Sequence, residues 1–403
     1  MRVFPISTLL PEKNSAQRVA SLGSGKLSAD VLQSKAQALA DSYLRVVKPQ
    51  FIDASLISET QEFYDKSRQN LIHLIKTGCL KTHPKNMFFY EQHHHSGIKL
   101  SGWILGVDAE DYIKGKIKKH ENTLTSKENR LVRHIAALES MAEPVLLSQK
   151  LPDTLKLLAE EIVQSESDLQ VSDELYNIHR VWKLHTVEDL KTVQDAFENL
   201  DSLYIADGHH RCAASSRYLI ERYGANSGKG IMALIMDEDD LLVKPFYRML
   251  SNVDPKVLWD FLDNQKIHHW EVAHSLNYGD LKKGQILCIT RDIRCVIEVS
   301  PEMMGESALS KLDVRILETE ILRKTFELKD SSNEDRLSFM RGDTPLDSIT
   351  QKLFNKEIDI AFLFAPNTMS EIRMVADQGD TMPAKSTFIE PKIPTGLIIE
   401  DYR

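Results

Sequence analysis

The stretch Ser202-Leu-Tyr-Ile-Ala206, Asp207-Gly-His-His-Arg211, Cys212-Ala-Ala-Ser-Ser-Arg-Tyr-Leu-Ile220 constrains the fold of this chain more than any other. It reads as a short apolar strand, a glycine turn and a helix in direct succession. That order sets the turn at the carboxyl end of a sheet strand, where α/β proteins gather their working groups. Strand and helix signals alternate along most of the 403 residues, which predicts an α/β (α+β) architecture rather than a helical bundle or a β-sandwich. Capping boxes are expected at Ser58–Gln61, Thr125–Glu128 and Thr368–Glu371, each opening a helix. Strands are expected at Met87–Tyr90 paired with Lys99–Val107, at Gly230–Met236, at Ile286–Thr290 paired with Arg294–Val299, and at Asp359–Phe364. One long helix is expected from Leu309 to about Leu328, and a division near 250 splits the chain into regions 1–250 and 251–403.

Composition narrows the function classes. Lys and Arg number 50 against 59 Asp and Glu, a net charge of −9, and an acidic surface repels a phosphate backbone, so no nucleic-acid partner is expected. The four cysteines are scattered without a C-x-x-C pair, which gives neither a zinc ribbon nor a disulfide scaffold and suits a reducing cytoplasm. Without a signal-peptide pattern or an apolar run near ~20 residues, no membrane partner is expected. Oligomeric state is not legible.

Three segments carry chemistry suited to phosphate. The first is the Asp207-Gly-His-His-Arg211 turn: Gly208 permits a tight bend, a helix start offers backbone N–H groups, and His209, His210 and Arg211 add donors. Asp207 is placed to hold a metal ion or accept a hydroxyl proton. The structural alternative is an Asp207–Arg211 pair with an N-capping role beside two core histidines. The second is Lys114–His134, where seven Lys and Arg against two Glu give +5. It reads either as a polyanion site, with Lys118 or Lys119 and Arg130 on phosphate oxygens and His120 or Glu121 handling a proton, or as a solvated helix face. The third is Met382-Pro-Ala-Lys-Ser-Thr387, a Lys and two hydroxyls that suit phosphate or an ordinary turn. His93-His94-His95 cannot all face one ion from an extended segment. Common phosphate motifs are absent; Gly25-Lys26 comes nearest to a P-loop, but Ala20 replaces its first glycine and Leu27 its hydroxyl.

At Tyr204–Arg211 the sequence resembles domain-of-unknown-function family 1015, a relative of the ParB/sulfiredoxin-like superfamily. Ile117-Lys-Lys-His-Glu-Asn-Thr123 with Lys127, Glu128 and Arg130 is similar to a second block of that family. Leu312-Asp313 resembles its central block, and Ala376–Thr387 with Pro391-Lys392 and Gly396-Leu397 its C-terminal one. The usual proline-containing N-terminal motif is not found, so no site residue is carried over from there. The resemblance implies a ParB/sulfiredoxin-like core plus an additional α/β subdomain, and phosphoryl transfer to free L-serine to give O-phospho-L-serine. Pyrophosphate is the implied donor, with ATP or ADP as alternatives, and Mg²⁺ the implied cofactor. In that reading Gly208, His209, His210 and Arg211 cradle the donor phosphates and Asp207 orients or deprotonates the serine hydroxyl. Lys385, Ser386 and Thr387, with Lys119, His120, Glu121 and Arg130, complete the site, and Asp207 or Glu121 holds the metal. No apolar slot for a nucleotide base is legible, which favours pyrophosphate. Two other classes compete: a ParB-like nucleotide- or DNA-binding regulator, disfavoured by the −9 charge, and a sulfiredoxin-like redox enzyme, whose motif has a cysteine where this chain has His209.

Overall fold

The computed structural model describes residues 1–403 except 24, 226, 274–275, 277 and 329–333. The chain forms two compact units, Met1–Leu241 with Pro391–Arg403, and Leu242–Glu390. The division therefore falls at 241/242 rather than near 250, and the last thirteen residues return to the first unit. They return because Ile399–Asp401 pairs with both Ile6–Pro11 and Ser140–Met141, a long-range ladder with no local sequence signal.

In the first unit a mixed sheet runs in the order Ile117–Lys118, Leu203–Asp207, Val145–Gln149, Gly230–Asp237, Lys99–Asp108, Phe88–His93, Ile178–Lys183, Leu169–Ser172. Its central strand Gly230–Asp237 is buried throughout, as expected of an unbroken apolar run covered on both faces. Leu203–Asp207 pairs in parallel with Ile117–Lys118, Tyr204 opposite Lys118, so two phosphate-suited segments lie side by side on one sheet edge. A smaller four-stranded sheet and the helix Gln61–Lys76 enclose a second core around Leu9, Tyr43, Leu71, Leu74 and Leu138.

Helix starts departed from expectation in two places. Thr60, not Ser58, caps Gln61–Lys76 by accepting from the Phe63 N–H. No box forms at Thr125; the helix Thr125–Leu138 has no side-chain cap. The box at Thr368 and Glu371 does form.

The second unit is built on a seven-stranded sheet in the order His269–Glu271, Arg294–Glu298, Gln285–Ile289, Ile360–Phe364, Leu242–Leu250, Leu337–Arg341, with Thr387–Glu390 paired to Leu242–Leu250. Its core gathers Tyr247, Met249, Leu287, Val296, Ile349 and Leu363. The single helix expected over Leu309–Leu328 is interrupted by extended Leu312, and its remainder, Asp313–Phe326, contains a wide π turn at Leu317–Leu322. That turn carries Glu318, which bonds the fully buried Arg248 at 2.7 Å.

Candidate active site

Gly208 ends the strand Leu203–Asp207 and caps the helix His209–Tyr223 with φ 95°, a conformation that disfavours any side chain. A Cβ at this position would lie 2.9 Å from two guanidinium nitrogens of Arg211. The bare glycine thus lets Arg211 fold back over the turn and reach Asp207, four residues earlier, at 2.6 Å. A second cation, Lys392, meets the other Asp207 oxygen at 2.8 Å, and Arg211 also reaches Glu143 at 3.2 Å.

Burial pushes the Asp207 carboxyl up, but Lys392 and Arg211 outweigh it and hold it down at about 2. Asp207 is ionised at every physiological pH, with about a third of its side chain open to a cleft of about 260 Å³. Lys26, Arg211 and Lys392 bring three positive charges to this cleft against two from Asp207 and Glu143. The surplus of positive charge suits a small anion carrying several oxygens.

The two histidines of the turn bond to the neighbouring 119–124 segment. The helix begins at His209, so both lie in its first turn. His209 is 4% exposed; its Nε2 accepts from the His120 N–H at 3.4 Å, and its Nδ1 is 3.7 Å from Glu121. The rings of His120 and His209 meet edge to face at 4.5 Å. His210 Nε2 accepts from the Leu124 N–H at 3.0 Å, and so takes the cap function that the expected box at Thr125 lacks. Burial lowers the pKa of all three, His120 to about 4 and His209 well below the usual range, so they are neutral at pH 7. They fasten the 119–124 segment to the helix start and carry no charge.

The remaining expected residues divide. Lys119 is exposed beside His209, whose pKa its charge helps lower, and Glu121 sits on the same side. Arg130 pairs with Glu59 at 3.8 Å and lines a separate cavity of about 240 Å³ instead of the Asp207 cleft. Lys385, Ser386 and Thr387 belong to the second unit. There Arg248 donates to the carbonyls of Ala384 and Lys385, Ser386 donates to the Pro383 carbonyl, and Lys385 has φ 55° with its ammonium 5.2 Å from the Phe246 ring.

Lys26, Glu143 and Lys392 were not expected at the site. Gly25-Lys26 lacks the glycine and hydroxyl of a P-loop, Lys392 is visible only as part of a C-terminal block, and Glu143 has no local signal. The histidine run takes three separate partners: His93 to Glu91, His94 to Ser96, His95 to Asn177. Among the described residues no three His, Cys, Asp or Glu side chains converge as a metal site. Of the two carboxylates expected to hold Mg²⁺, Asp207 is bonded to Lys392 and Arg211, and Glu121 lies 3.7 Å from His209 Nδ1. Cys212 is fully buried and its thiol is pushed up by that burial, which makes it a packing residue and no nucleophile. Among the described residues no helix is long and apolar enough to cross a membrane.

The model of the family described as a protein of unknown function, DUF1015, matches residues 3–315. The chain belongs to the DUF1015 family. No curated protein matches it. Among solved structures, free serine kinase in complex with AMP is similar over 73% of this DUF1015 chain and 92% of its own, at 15% identity and a TM-score of 0.38. A conserved hypothetical protein from Pyrococcus furiosus is similar over 72% and 93%, at 16% identity and 0.36. SbnI with a C-terminal truncation, from Staphylococcus aureus, is similar over 72% and 87%, at 12% identity and 0.37.

Proposed function

We propose that this chain is a small-molecule kinase that transfers a phosphoryl group from a phosphoanhydride donor to the hydroxyl of free L-serine, giving O-phospho-L-serine. The observation that carries the reading is the ionised Asp207 carboxylate, held between Lys392 and Arg211 in a cleft with a surplus of positive charge. Phosphoryl transfer asks little covalent work of a protein: it needs an in-line hydroxyl, cations on the equatorial oxygens and an acceptor for the hydroxyl hydrogen. Lys26, Lys392 and Arg211 supply the cations and Asp207 the acceptor. The serine Oγ–P bond forms, the P–O bond of the anhydride breaks, and the hydroxyl proton leaves through a carboxylate to water.

With its pKa near 2, Asp207 in the unliganded cleft orients the hydroxyl and is a poor base. A bound donor competes for Lys392 and Arg211, loosens both ion pairs and raises the carboxylate's basicity when the proton must move. The reading predicts a ³¹P signal of O-phosphoserine when the purified protein, Mg²⁺ and L-serine are given pyrophosphate, ATP or ADP in turn. Failure of all three donors refutes it for serine.

A further inference from the structure

The first unit holds a further cavity of about 260 Å³, on the face of the large sheet opposite the Asp207 cleft. Side chains alternate along a strand, so Leu234, which lines the cleft, and Asp237, three residues on, point to opposite faces. Trp103 is paired with Ile235 and therefore lies on the Asp237 side. The cavity is bounded there by Phe89 and Trp103, in edge-to-face contact at 5.0 Å, and by Leu155, Ala159 and Glu160 of the helix Asp153–Ile162. The short side chain of Ala159 leaves the space between helix and sheet unfilled.

Two features of these walls are unmatched. Trp103 is 2% exposed and its indole N–H has no hydrogen-bond partner among the described residues, so the cavity it lines is the space left for one. At the rim Glu160 and Asp240 form no ion pair among the described residues. The other charged walls are taken: Lys156 by Asp237 at 3.0 Å, and Glu91 by Arg180 at 3.5 Å and by His93. Partial burial and the charges of Asp237 and Asp239 push the Asp240 carboxyl up, a cost that a cation beside it would relieve. The guest these groups select has three parts: an ammonium for the two carboxylates, an apolar body for the aromatic and leucine walls, and an acceptor oxygen for the indole N–H. An anion is repelled by the surplus of carboxylates, and a hydrocarbon leaves the polar groups unmatched.

We propose that this cavity binds a small organic ammonium that carries an apolar body and a carbonyl, with Glu160 and Asp240 on the ammonium, Phe89, Trp103 and Leu155 around the body, and the Trp103 N–H donating to the carbonyl. The sheet separates this guest from the Asp207 cleft, so the two ligands do not compete. The inference stands whether or not the cleft transfers phosphate.

Calorimetric titration of the full chain with three probes at about pH 6, where their amines are protonated, tests it. L-Phenylalaninamide has all three parts, 3-phenylpropionamide lacks the ammonium, and 2-phenylethylamine lacks the carbonyl. Phenylalaninamide is expected to bind about tenfold more tightly than 3-phenylpropionamide, and Glu160→Gln with Asp240→Asn, both at exposed positions, removes that advantage. Trp103→Phe keeps a ring and removes the N–H; it weakens phenylalaninamide about fivefold and leaves phenylethylamine within about twofold. Ala159→Phe fills the space and abolishes binding of all three. Thermal unfolding followed by circular dichroism checks that each variant is folded, and the exposed double variant carries the test should Trp103→Phe fail to fold. No binding of phenylalaninamide at millimolar concentration overturns the proposal. So does equal affinity for the charged and neutral amides, or an affinity for phenylalaninamide that the double variant leaves unchanged.

Discussion

Gly208→Ala perturbs two things at once, and the structure lets them be separated. The backbone at φ 95° costs an L side chain about 1–2 kcal/mol. The added Cβ, 2.9 Å from the Arg211 guanidinium, also displaces Arg211 from Asp207. That pair is partly open to solvent, so its loss adds only about 1 kcal/mol. The total expected is about 2–3 kcal/mol for the first unit, read by pulsed hydrogen exchange along a urea series on peptides from that unit. In an Arg211→Ala background the guanidinium that the Cβ would meet is gone, and Gly208→Ala is expected to cost the backbone part alone. The difference between the two backgrounds is the coupling of glycine and arginine. If Gly208→Ala costs the same in both, the close approach has no energetic weight, and this account of why glycine separates Asp207 from Arg211 is wrong.

Lys392→Met removes one of the two cations on Asp207; its carboxyl pKa is expected to rise from about 2 toward the ordinary value, followed by carbon NMR of labelled aspartate, with O-phosphoserine formation down about 100-fold. An unchanged titration would remove Lys392 from the site. His120 is buried neutral, so its folded pKa lies below its unfolded one: the stability it confers is complete above 6.5 and is lost as pH falls from 6.5 toward about 4, up to about 3 kcal/mol. Phenylalanine there keeps a ring against His209, and stability curves between pH 7 and 4 should be flatter for His120→Phe; equal slopes count against burial as the cause. His210→Phe takes the acceptor from the Leu124 N–H, with about 1 kcal/mol lost and faster exchange at the start of helix Thr125–Leu138, while phosphate affinity at Arg211 is unchanged. A loss of phosphate affinity equal to that of Arg211→Ala would return His210 to the anion site.

Much of the site was legible where the physics is local. Asp207, Gly208 and Arg211 fall within five residues, and strand, positive-φ turn and helix together leave Arg211 little choice but to return to Asp207. The alternation of strands and helices was legible for the same reason, because apolar periodicity is set residue by residue. Histidine partners were not, since imidazole serves equally as anion donor, acceptor or core ring, and only the folded chain brings 119–124 within reach of His209 and His210.

Side chains remote in sequence were decided by tertiary structure alone. Lys392 reaches Asp207 because the C-terminal strand Ile399–Asp401 is drawn into a sheet of the first unit, and Lys26 reaches the same cleft without any P-loop around it. The cavity beside that cleft is assembled from residues spread between Tyr43 and Thr395, whose apolar and polar members carry no shared pattern along the chain. Sequence by itself determined a carboxylate and an arginine on a strand-turn-helix in an α/β chain. The charge surplus around that carboxylate, its low pKa and the cavity beside it arise only on folding, because a field and a cavity are sums over groups that meet in space.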